Sequence, residues 1–94
     1  MVGSYSNAYG IEYDLGLDGK AKMEFPSGDI FIGEWGMMED GYLYIDTCRT
    51  GYVAEEQCRG RNSQTNHPYP KRENGRIILW VGDHDEDNYV KDEK

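Results

Sequence analysis

The sequence predicts an all-β fold: about five antiparallel strands in a bent sheet or small open barrel, with room for one short helix. Three observations carry that prediction. Apolar residues alternate with polar ones over several short runs. Twelve glycines punctuate the chain, which favours strands and tight turns over helices. The core material is aromatic rather than aliphatic: eight Tyr, two Trp and two Phe offset an apolar fraction of 37%.

The elements follow in order. Across residues 9–17, Tyr9, Ile11, Tyr13, Leu15 and Leu17 share one parity, while Gly10, Glu12, Asp14 and Gly16 share the other. That is a strand with one buried face and one acidic face. Leu17-Asp18-Gly19 reads as a three-residue hairpin loop closed at Gly16 and Lys20, with Gly19 in the left-handed position. Register tests this. The longer loop pairs Leu15 with Ala21, Tyr13 with Met23, Ile11 with Phe25 and Asp14 with Lys22. A two-residue turn would set Leu15 against Lys22 and break the buried face.

Pro26-Ser27-Gly28 makes the next turn. The strand Asp29 to Trp35 adds Phe31, Gly33 and Trp35 to the face of Met23 and Phe25. Ile30 and Ile32 point the other way, as in a central or covered strand. Asp40-Gly41 turns the chain into a fourth strand, Tyr42 to Thr47. A fifth runs from Arg76 to Gly82. Residues 48–75 read as a long polar loop containing a short helix at 52–57, and 83–94 as a frayed acidic tail after a single domain at 1–82. The expected core is Ile11, Tyr13, Leu15, Met23, Phe25, Phe31, Trp35, Leu43, Ile45, Ile77, Leu79 and Val81.

Residues 19–35, Gly19 to Trp35, resemble one MORN repeat. Gly19, Phe25, Gly28, Asp29, Phe31, Gly33, Glu34 and Trp35 fit the pattern, and Ala21 stands where a second glycine is usual. The remainder of the chain shows no second copy. The resemblance implies a scaffold or adaptor role without catalytic residues, built from a β-hairpin that stacks on others.

Charge narrows the function. The chain carries a net charge of −8, with −8 over residues 1–58, +4 over 59–76 and −4 over 83–94. Duplex nucleic acid is repelled by most of such a surface, and a basic partner is favoured. Apolar runs are too short to span a membrane. The start, Met1-Val2-Gly3-Ser4-Tyr5, lacks the basic and apolar regions of a secretory signal, so a cytoplasmic location is expected. There Cys48 and Cys58 are expected as free thiols, with a bridge across the short loop as the other reading.

The chemistry-bearing patterns are sparse. Asp83-His84-Asp85-Glu86-Asp87 has the first half of a calcium-loop spacing, but Asn88 and Lys94 occupy the glycine and final-acid positions. Cys48, Cys58, His67 and His84 lack the close pairs of a zinc site. No cofactor and no catalytic residues are assigned, and a core this small leaves little room for a substrate pocket.

The informative feature is the acidic strand face. Glu12 and Asp14 lie roughly 6.8 Å apart along one strand. Glu24, Glu34, Glu39 and Asp40 extend that surface, with Tyr42 and Tyr44 as candidate contact residues. Regularly spaced carboxylates on a rigid sheet imitate phosphates. In type, the chain resembles the small acidic inhibitors of phages and mobile elements, such as anti-restriction, anti-CRISPR and toxin-immunity proteins. The expectation is a non-enzymatic binding protein acting on a basic or nucleic-acid-handling protein, without contacting nucleic acid directly. A basic, aromatic stretch (Arg59, Arg61, His67, Tyr69, Lys71, Arg72, Arg76) suggests single-strand binding. Contact with the acidic face, within one chain or across a homodimer, is the alternative.

Overall fold

The computed structural model describes residues 2–50 and 60–92. The described chain is all-β, and its antiparallel sheet curls into a half-barrel. The described strands are β1 (Gly3–Ser6), β2 (Glu12–Leu15), β3 (Lys20–Glu24), β4 (Ile30–Met37), β5 (Leu43–Arg49), β6 (Ser63–Asn66), β7 (Tyr69–Glu73), β8 (Arg76–Trp80) and β9 (Tyr89–Lys91). Their order across the sheet is β6-β5-β4-β3-β2-β1-β9-β8-β7. Among the described residues the strands number nine rather than about five.

The two edge strands of that order, β6 and β7, are consecutive in sequence and joined by His67 and Pro68 alone. So short a joint forces the sheet to bend round until its edges converge at one corner. Pro68 is fully buried there, and its carbonyl accepts a hydrogen bond from the Leu43 amide at 2.9 Å. Residues 63–73 therefore act as one bent segment, pairing with β5 by its first half and with β8 by its second. Tyr42 and Tyr69 close the same corner, with ring centroids 5.0 Å apart.

The β2–β3 hairpin has the register its parity required: Leu15 opposite Ala21, Asp14 opposite Lys22 and Tyr13 opposite Met23. The Gly16 amide donates to the Lys20 carbonyl at 2.8 Å, and Gly19 adopts φ +83°. Trp35 then clamps this loop onto β4. Its indole N–H donates to the Gly16 carbonyl at 2.8 Å, and its amide to the Gly19 carbonyl at 3.0 Å.

The core lies on the concave side. Of the residues expected there, Tyr13, Leu15, Met23, Phe31, Leu43, Ile45 and Leu79 are buried, and Ile11, Phe25, Trp35 and Ile77 pack against them half-buried. Val81 is 42% exposed, because β8 ends at Trp80. Tyr5, Ala21 and Tyr89 complete the core and were not foreseen.

Three other expectations differ from the structure. The polar stretch after residue 60 supplies β6 and β7 rather than a loop, and the acidic tail supplies a 3₁₀ turn (Asp85–Asp87) and β9. Both gain order from backbone ladders to neighbouring strands, and β9 also from Tyr89 in the core. Cys48 is disulfide-bonded, not a free thiol. Cys58 and the helix expected at 52–57 lie outside the described residues. Among the described residues, no helix is long and apolar enough to cross a membrane.

Candidate binding face

Opposite the core, the outer face of β2–β5 is ordered in cross-strand rows. One row runs Ser4, Asp14, Lys22, Ile32, Cys48, Ser63. A second runs Lys20, Glu34, Asp46, Thr65, and a third Ser6, Glu12, Glu24, Ile30. The period-2 pleat thus puts Glu12, Asp14, Glu24 and Glu34 on one surface. Asp46 joins them; the alternation of Leu43, Ile45 and Thr47 held that information.

The other candidates are placed differently. Glu39 and Asp40 sit in the turn between β4 and β5, at the far end of β4 from Glu12. Tyr42 belongs to the closing corner with Tyr69. Tyr44 lies on the outer face over Gly36, where a Cβ would come within 2.7 Å of its ring carbons. The ring thus covers a cross-strand glycine.

The carboxylates differ in their company. Lys20 approaches Glu34 at 3.9 Å and Lys22 approaches Glu24 at 3.4 Å, both at exposed positions where pairing contributes little. Asp14 accepts a hydrogen bond from the Ser4 hydroxyl. Among the described residues, Glu12 and Asp46 have no ion-pair partner. Glu12 is also the direct cross-strand neighbour of Glu24, a like-charge juxtaposition that costs stability. Arg49 is turned away from this group, paired with Asp29 at 2.9 Å and stacked 5.1 Å over Phe31.

A groove of about 730 Å³ opens on this face, lined by residues including Asp14, Lys22, Ile32, Glu34 and Cys48. The sequence reading expected little room for a pocket beside so small a core; the groove forms on the other side of the sheet. Its apolar centre is Ile32, 50% exposed on a strand that is central but uncovered by any described residue. Its volume is in the usual range for ligand sites.

The basic stretch is dispersed. Lys71 lies 4.4 Å over the Trp80 ring, Tyr69 packs on Tyr42, and Arg72 and Arg76 line a separate small cavity. Arg59 and the side chain of Arg61 lie outside the described residues. Among the described residues, no three His, Cys, Asp or Glu side chains gather as a metal site would require.

The interior holds one polar chain. Asn66 Nδ2 donates to the Tyr13 hydroxyl at 2.7 Å, and the Tyr13 hydroxyl donates in turn to that of Tyr89, whose ring lies 4.6 Å away. Burial raises the pKa of both phenols, that of Tyr89 to about 12. This chain spans three strands and braces the concave side; it has no outlet to the acidic face.

No family model, no curated protein and no solved structure matches this chain.

Proposed function

We propose that this protein is a non-enzymatic binding protein whose acidic outer face covers a basic surface of a macromolecular partner and so blocks or regulates it. One observation carries the reading: Glu12, Asp14, Glu24, Glu34 and Asp46 share the outer face of adjacent strands around the exposed side chain of Ile32. Fixed carboxylates steer a basic partner, and an apolar centre gives the contact a desolvated anchor. The Glu12–Glu24 neighbourhood supports the same reading, since it weakens the isolated fold and is relieved when a cation arrives. A cytoplasmic nucleic-acid-handling protein is the partner class that such spacing suits.

The test is affinity capture from host lysate at low salt, with the wild-type chain and with Glu12→Lys plus Asp14→Lys. Both positions are exposed, so the double variant keeps its fold. The wild type should retain a basic protein that the variant loses, and the purified pair should bind at least about 100-fold more weakly after charge reversal. Equal affinity of the two proteins would sink the proposal.

A further inference from the structure

The turn that joins β7 to β8 is two residues long, Asn74-Gly75, and is closed by Glu73 opposite Arg76. Both turn residues are left-handed, Asn74 at φ +51° and Gly75 at φ +80°, as a type I′ turn requires. Asn74 is the single non-glycine residue with positive φ among the described residues. Both are exposed, and a Cβ built on Gly75 would meet nothing within 4 Å. Among the described residues, the Gly75 amide donates no hydrogen bond.

The other asparagines of the chain are held. Asn7 Oδ1 accepts from the Tyr9 and Ile11 amides, each at 3.0 Å. Asn62 Oδ1 accepts from Arg49 Nε at 3.3 Å. Asn66 Nδ2 donates to the Tyr13 hydroxyl at 2.7 Å. Asn88 is buried, and its Oδ1 accepts from the Val81 amide at 2.8 Å. Among the described residues, Asn74 alone has a side-chain amide without a hydrogen bond, and it alone precedes a glycine.

We propose that Asn74 is a site of spontaneous deamidation, with water as the co-reactant. The Gly75 amide nitrogen attacks Asn74 Cγ and forms a new C–N bond. The Cγ–Nδ2 bond breaks, and the Nδ2 amino group leaves as ammonia with the proton that Gly75 gives up. Water then opens the cyclic imide at either carbonyl. Opening at Cγ leaves aspartate. Opening at the main-chain carbonyl leaves isoaspartate, with the backbone now running through the side chain. No electrons change hands in either step. A glycine nitrogen is the least shielded attacking group the chain offers, and an unheld amide turns to meet it without first breaking a hydrogen bond.

The two products differ in what they do to the hairpin. Aspartate before glycine still suits the turn. Isoaspartate adds a methylene to the main chain, so Glu73 and Arg76 lose the two-residue closure. β7 lies at the end of the sheet order, with β8 as its ladder partner among the described residues, so the hairpin loosens from that end. Either product places a new carboxylate beside Glu73, inside the basic stretch of the sequence. The proposal stands independently of the acidic-face reading.

The experiment incubates the intact chain at neutral and at mildly alkaline pH, with and without urea. Isoelectric focusing and peptide mapping by mass spectrometry follow the products, with Asn74→Asp in parallel. The parent should gain a more acidic band, faster at the higher pH, containing aspartate and isoaspartate at position 74. In the fold, Asn74 should convert at least about fivefold faster than any other asparagine, because each of those must first break a hydrogen bond. Urea should shrink that ratio by releasing the held amides. Asn74→Asp should start at the acidic position, gain no further band and melt with the parent, whereas the isoaspartyl fraction should melt lower by circular dichroism. An Asn74 that stays intact at alkaline pH, a faster conversion at any other asparagine, a ratio untouched by urea, or an isoaspartyl fraction that melts with the parent would overturn the proposal.

Discussion

Gly33→Ala is expected to destabilise the fold by about 3 kcal/mol. A Cβ at this position collides with the Asp46 carbonyl and comes within 2.8 Å of the Thr47 Cα. Both obstacles are backbone, and both belong to the β4–β5 ladder that runs from Phe31 opposite Arg49 to Met37 opposite Leu43. Relief therefore requires the two strands to part within their ladder, the longest in the described sheet. For a domain of this size the melting temperature should fall by roughly 12–24 °C. Gly36→Ala is the internal control. Its obstacle is the ring of Tyr44, a side chain on the exposed face that can swing aside, so the loss there should be markedly smaller. Thermal melts by circular dichroism decide the matter. A Gly33→Ala protein melting within a few degrees of the parent would mean that the strands do not approach this closely.

Raising the pH above about 10 should unfold the protein cooperatively. Burial lifts the pKa of Tyr13 and Tyr89, the latter to about 12, and burial raises that of Tyr5 as well. These phenols keep their protons in the fold when the unfolded chain has begun to release its own. Their contribution is intact below pH about 10, the unfolded value. It is lost as the pH climbs toward the folded values, each group steepening the decline by up to about 1.4 kcal/mol per pH unit. Phenolate absorbance should rise in two stages. The first stage leaves the fold intact, and the buried phenols Tyr13 and Tyr89 ionise together with the loss of ellipticity. Smooth titration of all eight tyrosines with no change in ellipticity would refute this. Tyr13→Phe probes the same chain of hydroxyls at neutral pH, because it strips the Asn66 amide and Tyr89 of a shared partner.

The sequence made β2, β3 and β4 legible because each carries two or more apolar residues of one parity, and the Leu15–Ala21 register followed from that parity alone. β1, β6, β7 and β9 escaped for a shared physical reason. Gly3-Ser4-Tyr5-Ser6 offers a single aromatic, and Ser63-Gln64-Thr65-Asn66 offers no apolar residue at all. Such strands are held by the ladder to a neighbour, which leaves no mark on hydropathy. Pro70 lacks the amide a ladder uses, and β7 lies at the end of the sheet order, where that is tolerated. The acidic face was legible as far as parity reached: Glu12, Asp14, Glu24 and Glu34. The groove at Ile32 was not, because its lining is gathered from several strands.

The pairing of β1 with β9 has a mechanical consequence. Tyr5 faces Lys91, and the Asp92 amide donates to the Ser4 carbonyl at 2.8 Å, so residues 3 and 92 leave the sheet side by side. A load applied across these two points meets the β1–β9 ladder as a zipper, one rung at a time, not as a bond field in shear. The sheet would open there at low force, with the long β4–β5 ladder still closed. A load applied between the β4–β5 turn and the β7–β8 turn must instead strain the corner at the buried Pro68, and the same molecule becomes stiff.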